Sequence, residues 1–271
     1  MTRRVTSADG ISIAVYESGH DDGPVVVAVH GYPDNHSVWD GLAAALADTC
    51  RVVTYDVRGA GASDVPASQA GYRVALLIDD LVAVIDAVAP DAEVHLVAHD
   101  WGSMQSWPAL ADPRLRDRIA TFTSISGPSL DYARVWLRGI TRKPGPRLRQ
   151  LAHSSYTMLF QLPRLPELAV RRGLIDRTVG KRERADELNG LNLYRANMLA
   201  AARRTVPARV GLPVQVLAPA DDPFVTTALA TEAPAPFVAD LQTHVIPGGH
   251  WVVKMNPELI AGFVREFIGA R

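Results

Sequence analysis

Residues 93–103, Glu93-Val94-His95-Leu96-Val97-Ala98-His99-Asp100-Trp101-Gly102-Ser103, decide how this chain is read. An apolar run over 93–98 enters a tight turn, and the residues from 101 to about 111 have helical spacing. A strand, a cramped turn and a helix hold up a nucleophile when small residues flank it, in the pattern G-x-S-x-G. Here the five residues are Ala98-His99-Asp100-Trp101-Gly102. Aspartate stands where the serine would be, and Ala98 and Gly102 are small enough for the turn. An aspartate at a helix start is also an ordinary N-cap, so the rest of the chain has to separate the two readings.

Working outward, residues 1–128 alternate strand and helix. Residues 11–16 alternate like a half-exposed strand, whereas GPVVVAVHG (23–31) and RVVTYD (51–56) read as short buried strands. Helical spacing covers 35–47 and 74–88, and a further strand is expected over 119–124. From 129 to about 210 the β-rich runs stop. Leu, Arg and Ala at helical spacing take over, chopped by Pro144-Gly145-Pro146 and by Pro163 and Pro166. The β-α rhythm then resumes with LPVQVLAP (212–219), a helix near 225–231, LQTHVIP (241–247) and a closing helix over 257–268. Strand–helix alternation predicts an α/β fold with a mostly parallel central sheet flanked by helices. Residues 1–128 and 211–271 form its core, and 129–210 form an inserted helical cap.

The 271 residues are 48% hydrophobic with a formal charge of −1, which suits one globular domain carrying an insertion. A chain of this length buries roughly three quarters of its unfolded surface, so neither disulfide nor metal is needed to fold it. The single cysteine, Cys50, allows no internal disulfide and fits a reducing compartment. The first ten residues carry Arg3 and Arg4 with no apolar stretch behind them, so no signal peptide is expected. Apolar runs such as Val25–Val29 are too short to span a bilayer, and a cytoplasmic location is expected. The near-zero total hides an asymmetry: residues 129–210 hold 17 Lys+Arg against 6 Asp+Glu, about +11. That basic cap is either a solvated helical surface or a face for anionic lipid or acidic substrates. No nucleic-acid recognition motif accompanies it, and no nucleic-acid partner is expected.

Three further clusters bear on Asp100. His30-Gly31-Tyr32-Pro33 follows a buried strand, and the backbone N–H of Tyr32 can point at developing negative charge there. With the N–H of Trp101 it makes an oxyanion hole. Asp56-Val57-Arg58-Gly59-Ala60-Gly61-Ala62-Ser63 reads as a structural turn, braced by Asp56 and Arg58. Gly248-Gly249-His250-Trp251 lies between the last strand and the last helix, where a histidine is the general base in the chain order nucleophile, acid, histidine. The acid that orients this imidazole falls in Asp221-Asp222-Pro223-Phe224-Val225. Asp222 is chosen because its spacing leads into the next helix, with Asp221 in reserve.

HGYP, DVRGAGAS, AHDWGS, ADDPFV and GGHW, in this order, resemble the α/β-hydrolase fold over nearly the whole chain, and the aspartate elbow resembles the epoxide hydrolase branch. Residues 155–161 (SYTMLFQ) and 192–197 (NLYRAN) are similar to the segments supplying that family's paired cap tyrosines, which implies Tyr156 and Tyr194 as donors to an epoxide oxygen. A carboxylate suits attack on an sp³ carbon, forming an alkyl ester. The implied reaction opens an epoxide through an ester on Asp100. Water activated by His250 and Asp222 hydrolyses the ester to a vicinal diol, the N–H groups of Tyr32 and Trp101 hold the oxyanion, and no cofactor or metal enters. Leu159, Phe160, Leu162 and Trp251 suggest an apolar pocket and a lipophilic epoxide as partner, with the chain a monomer or homodimer.

A haloalkane dehalogenase is the nearest alternative, since it shares the Asp nucleophile. Its halide leaving group wants N–H donors, of which Trp101 is one, and this sequence has Tyr32 beside Gly31 where the usual second donor would be Asn. A non-catalytic binding protein on the same fold is a second alternative. A serine esterase is disfavoured because Ser103 lies three residues past the elbow position. Similar bacterial hydrolase domains can be joined to a short-chain dehydrogenase domain, which is not expected within these residues.

Overall fold

A computed structural model of the chain describes residues 2–174, 182–201 and 207–270. Among these residues one eight-stranded sheet runs in the order β1-β2-β4-β3-β5-β6-β7-β8. Its strands are β1 (Thr2–Thr6), β2 (Ser12–Gly19), β3 (Val25–Val29), β4 (Arg51–Tyr55), β5 (Val94–His99), β6 (Ile119–Ile125), β7 (Val214–Pro219) and β8 (Leu241–Ile246). Only β2 runs against its neighbours; every other adjacent pair is parallel.

The buried strands read as unbroken apolar runs because both faces of a parallel sheet are covered. Side chains alternate between the faces. Val27 and Val29 pack on one side with Leu77, Leu81 and Ile85 of α2 (Val74–Val88). Val26 and Ala28 pack on the other with Leu42 and Leu46 of α1 (Asp40–Leu46), and with Ile260 and Val264 of the closing helix Pro257–Gly269. Burying one such Val or Leu contributes about 1.5–3 kcal/mol, so this double layer fixes the strand ends that carry the site.

Local differences from the sequence expectation have physical causes. The helix expected over 35–47 is split: Asn35 accepts the Ser37 N–H and starts a 3-10 turn, His36–Trp39, before α1 begins. Strand β1 was not expected, because an edge strand with Val5 as its only buried side chain shows no apolar alternation. Asp56 and Arg58, expected to brace the turn over 56–63, act through separate partners. Asp56 accepts hydrogen bonds from the backbone N–H groups of His36 and Ala62, both at 2.8 Å. Arg58 forms ion pairs with Asp80 at 2.6 Å and Asp9 at 2.8 Å.

Between β6 and β7 the chain runs through α4 (Leu130–Arg138), α5 (Pro144–His153), α6 (Tyr156–Phe160), α7 (Leu165–Arg171) and α8 (Arg184–Ala201). Pro144 and Pro166 sit in the first turns of α5 and α7, where a missing N–H costs nothing. Residues 175–181 and 202–206, within the expected cap, lie outside the described residues. Among the described residues no helix is long and apolar enough to cross a membrane.

Candidate active site

Asp100 occupies the turn from β5 into α3 (Trp101–Ala109) with φ 50° and ψ −124°, a left-handed φ that costs a non-glycine residue about 1–3 kcal/mol. The surroundings hold it there. Its N–H donates to the Ile125 carbonyl at 3.0 Å, and its carbonyl accepts from the Met104 N–H at 2.9 Å. Close packing fixes the neighbours as well: a Cβ on Gly102 would run into the carbonyl oxygens of Val29 and His30. The side chain therefore stands clear of the sheet's carboxyl edge and is not spent as a helix cap.

Asp100 Oδ1 accepts the Tyr32 N–H at 2.8 Å. The Trp101 N–H lies beside Gly31, where an added Cβ would come within 2.5 Å of the nitrogen and also meet the Asp100 carboxylate. Both backbone donors expected from the sequence thus sit beside this carboxylate. Asp100 Oδ2 is 3.4 Å from His250 Nε2, and His250 Nδ1 is 2.9 Å from Asp222 Oδ2. Asp222 Oδ1 in turn accepts the N–H groups of Phe224 at 2.8 Å and Val225 at 3.1 Å. Of the two adjacent acids Asp222 is buried against the imidazole, while Asp221 is exposed and only donates its N–H to Gly248. His99 is buried, and burial lowers its pKa, which keeps it neutral; its Nε2–H donates to the His250 carbonyl at 2.8 Å. That bond ties the histidine loop to the elbow.

Burial alone would lower the pKa of His250. The Asp222 charge and the hydrogen bond to Asp100 outweigh it and push the pKa up to about 10. Burial raises the pKa of Asp222, but the His250 charge and the hydrogen bonds it accepts bring it below the ordinary carboxylate value. The Asp222 charge and the hydrogen bond to Asp100 therefore favour the protonated form of the His250 imidazole.

Opposite the carboxylate stand two phenols. Tyr156 opens α6, and Tyr194 lies midway along α8, with ring centres 6.1 Å apart. Burial, and then the Asp100 charge, raise the pKa of Tyr156; burial followed by Tyr156 and Asp100 does the same for Tyr194. Both stay protonated at pH 7 and can donate. With Tyr32, Phe160, Phe224, His250 and Trp251 they line a cavity of about 330 Å³ with Asp100 at its floor. Phe160 and Trp251 were expected in this wall, and so was Leu159. Leu162 is not part of it.

Sequence reasoning missed several members. The Tyr32 ring itself lines the cavity, and Gly190 of α8 is bare to let that ring approach. Phe224 gives the wall a ring and Asp222 an N–H. Gln150 of α5 donates to the Phe224 carbonyl at 2.8 Å and accepts from both N–H and hydroxyl of Thr226, joining cap to acid loop. Asp34, buried, accepts from Arg182 at 2.6 Å and from the Trp251 indole at 2.7 Å. A charged residue straight after HGYP was the one available signal for Asp34; nothing local marks Gln150. Ser103 is buried on α3 and hydrogen-bonds the Gly127 carbonyl at 2.7 Å, outside the cavity wall. Among the described residues no group of three or more His, Cys, Asp and Glu is placed to hold a metal ion.

A family model described as the alpha/beta hydrolase fold matches residues 24–257, and the chain belongs to that family. It is 37% identical to a probable oxidoreductase, EphD, of Mycobacterium tuberculosis, over 98% of this chain and 49% of that protein. The chain thus spans about half the length of such relatives. It is 27% identical to Epoxide hydrolase A of the same organism, over 98% of this chain and 97% of that one. A solved epoxide hydrolase from Vigna radiata, VrEH1, superposes with a TM-score of 0.79 at 24% identity, covering 100% and 98% of the two chains, which shows the shared fold.

Proposed function

We propose that the protein is an epoxide hydrolase that converts a lipophilic epoxide to a vicinal diol through an ester on Asp100. The observation that carries this reading is the pairing of a carboxylate at the elbow with two neutral phenols across one cavity. The carboxylate attacks an epoxide carbon and the C–O bond breaks. The departing oxygen, a strong base, takes its proton from Tyr156 or Tyr194. Esterification removes the charge on Asp100, and with it the hydrogen bond that helps hold the proton on His250. The imidazolium can then return a proton to the phenolate and become a base. Neutral His250 takes a proton from water, whose oxygen adds to the ester carbonyl. The N–H groups of Tyr32 and Trp101 hold the oxyanion, each worth roughly 3 kcal/mol. Collapse breaks the ester C–O bond, the leaving alkoxide takes the proton of the hydroxyl that water had added, and the diol departs from a restored Asp100 carboxylate.

The wall of the cavity, mostly aromatic and aliphatic, supports a lipophilic substrate. The dehalogenase alternative would want the Trp101 indole N–H at the cavity; Trp101 lines a separate cleft of about 20 Å³ instead. The name of the 37% relatives belongs to proteins about twice this length and supports no redox step here.

A single turnover in H₂¹⁸O with enzyme in excess over a styrene-oxide-like epoxide tests the reading. ¹⁸O in the peptide bearing Asp100 and ¹⁶O in the first diol are expected. Label going straight into the diol would sink the covalent mechanism. A stoichiometric complex without turnover would favour a binding protein, and halide release without diol formation the dehalogenase.

A further inference from the structure

Of the twelve large apolar side chains that the described residues leave exposed, nine belong to the helical insertion. Leu159, Leu165 and Leu174 are 55%, 53% and 62% exposed and also line the cavity over Asp100. The cavity mouth therefore has an apolar rim. Met158, on α6, and Leu168, one turn after Leu165 on α7, extend the rim outward, and Leu148 and Leu151 are exposed one turn apart on α5. Exposed apolar surface grouped in this way marks an interaction site.

The charges around it have one sign. Between residues 138 and 174 every exposed charged side chain is cationic: Arg138, Arg142, Lys143, Arg149, Arg164 and the Arg171–Arg172 pair. The one acid in the stretch, Glu167, is held by Arg195 at 2.7 Å. Among the described residues none of these seven cations has a carboxylate partner. A merely solvated surface intersperses both signs. Leucines interleaved with unpaired arginines match a bilayer that is apolar within and anionic at its surface.

We propose that the outer face of α5, α6 and α7 docks on an anionic lipid surface, with the cavity mouth turned toward the acyl chains. A lipophilic substrate then enters from the lipid without crossing water. The docking stands on this surface alone; what enters rests on the epoxide hydrolase reading. A second copy of the chain is disfavoured as the occupant, because a two-fold contact would set this cationic face against itself.

The test is flotation of the full chain with phosphatidylcholine vesicles and with vesicles that also contain phosphatidylglycerol, at low and high salt. Binding is expected only to the phosphatidylglycerol vesicles and is expected to fall in high salt. Each cation near the surface is worth about fivefold in affinity. The triple variant R142Q/K143Q/R149Q should thus bind on the order of 100-fold more weakly. L148S/M158S/L168S should also float less, with its charge unchanged. Both variants keep every cavity residue, so both should turn over a water-soluble epoxide as the unmodified chain does. An inactive but vesicle-binding chain would remove the epoxide reading and leave the docking. No flotation, or flotation unaltered in both variants, would overturn the docking. So would a solution dimer that L148S/M158S/L168S splits, since the face would then belong to a second copy.

Discussion

The floor and the roof of the cavity are built by different means. The floor side chains, Asp100, Asp222 and His250, stand buried on turns at the ends of parallel strands. Backbone hydrogen bonds hold Asp100, two backbone N–H groups hold the Asp222 carboxylate, and the His99 imidazole holds the His250 carbonyl. The roof residues Tyr156 and Tyr194 stand on helices that rest Leu191, Leu193 and Tyr194 on the core and are further joined by separate polar ties. Arg195 binds Glu167, Arg182 binds Asp34, Asn197 binds the Tyr72 carbonyl at 2.8 Å, and Gln150 binds the acid loop. The proposed covalent step needs its nucleophile and base closely fixed, and buried turns at strand ends do that. A roof that must admit substrate is better hung on separable contacts.

Removing Asp100, the proposed nucleophile, should separate floor from roof most sharply. Asp100→Ala is expected to lose at least about four orders of magnitude in turnover while still binding epoxide, measured as the competition of a diol or epoxide for a fluorescent ligand. His250→Gln should slow turnover by about 10²–10⁴, and the Asp100 ester should accumulate, seen as a mass increase on the peptide. Rapid ester formation with no accumulation would show that another base serves. Tyr156→Phe and Tyr194→Phe should each slow ester formation by about 10²-fold and leave ester hydrolysis untouched; equal loss in both steps would break the division between floor and roof. Arg195→Gln should cost only about 1 kcal/mol, since the pair is partly exposed. Because Arg195 depresses the pKa of Glu167, that stability is present above the unfolded value of 4.5 and lost as pH falls through the lower folded one.

The floor also carries a pH signature. The folded pKa of His250, about 10, lies above its ordinary 6.5. Its contribution to stability is therefore complete below about pH 6.5 and lost as pH rises toward 10. The melting temperature should fall across that window, and His250→Gln should flatten the slope.

What the sequence disclosed follows the same division. The strands and Asp100, Asp222 and His250 were legible because each is written locally, as an apolar run ending in a turn with a distinctive residue at its tip. The roof was legible only where a tyrosine sat in a recognisable segment. Leu165 on α7, Leu174 just beyond it and Phe224 in the acid loop reach the cavity only through tertiary placement, which no spacing reveals. Gln150 and Asp34 act across 74 and 148 residues of chain, and their partners are visible only once the fold is closed. β1 escaped because its partner supplies its register while Val5 alone of its side chains is buried.

The left-handed backbone at Asp100 has a consequence for inheritance. A chain that drifts out of use can gain from losing this side chain, because the backbone here favours glycine. Asp100→Gly and Asp100→Ala would be equally inactive on the proposed reading, yet the glycine variant should be the more stable by about 1 kcal/mol and melt higher, reversing the usual order of the two residues. On the proposed reading, an aspartate stands here for the reaction, at a backbone that folding alone would give to glycine.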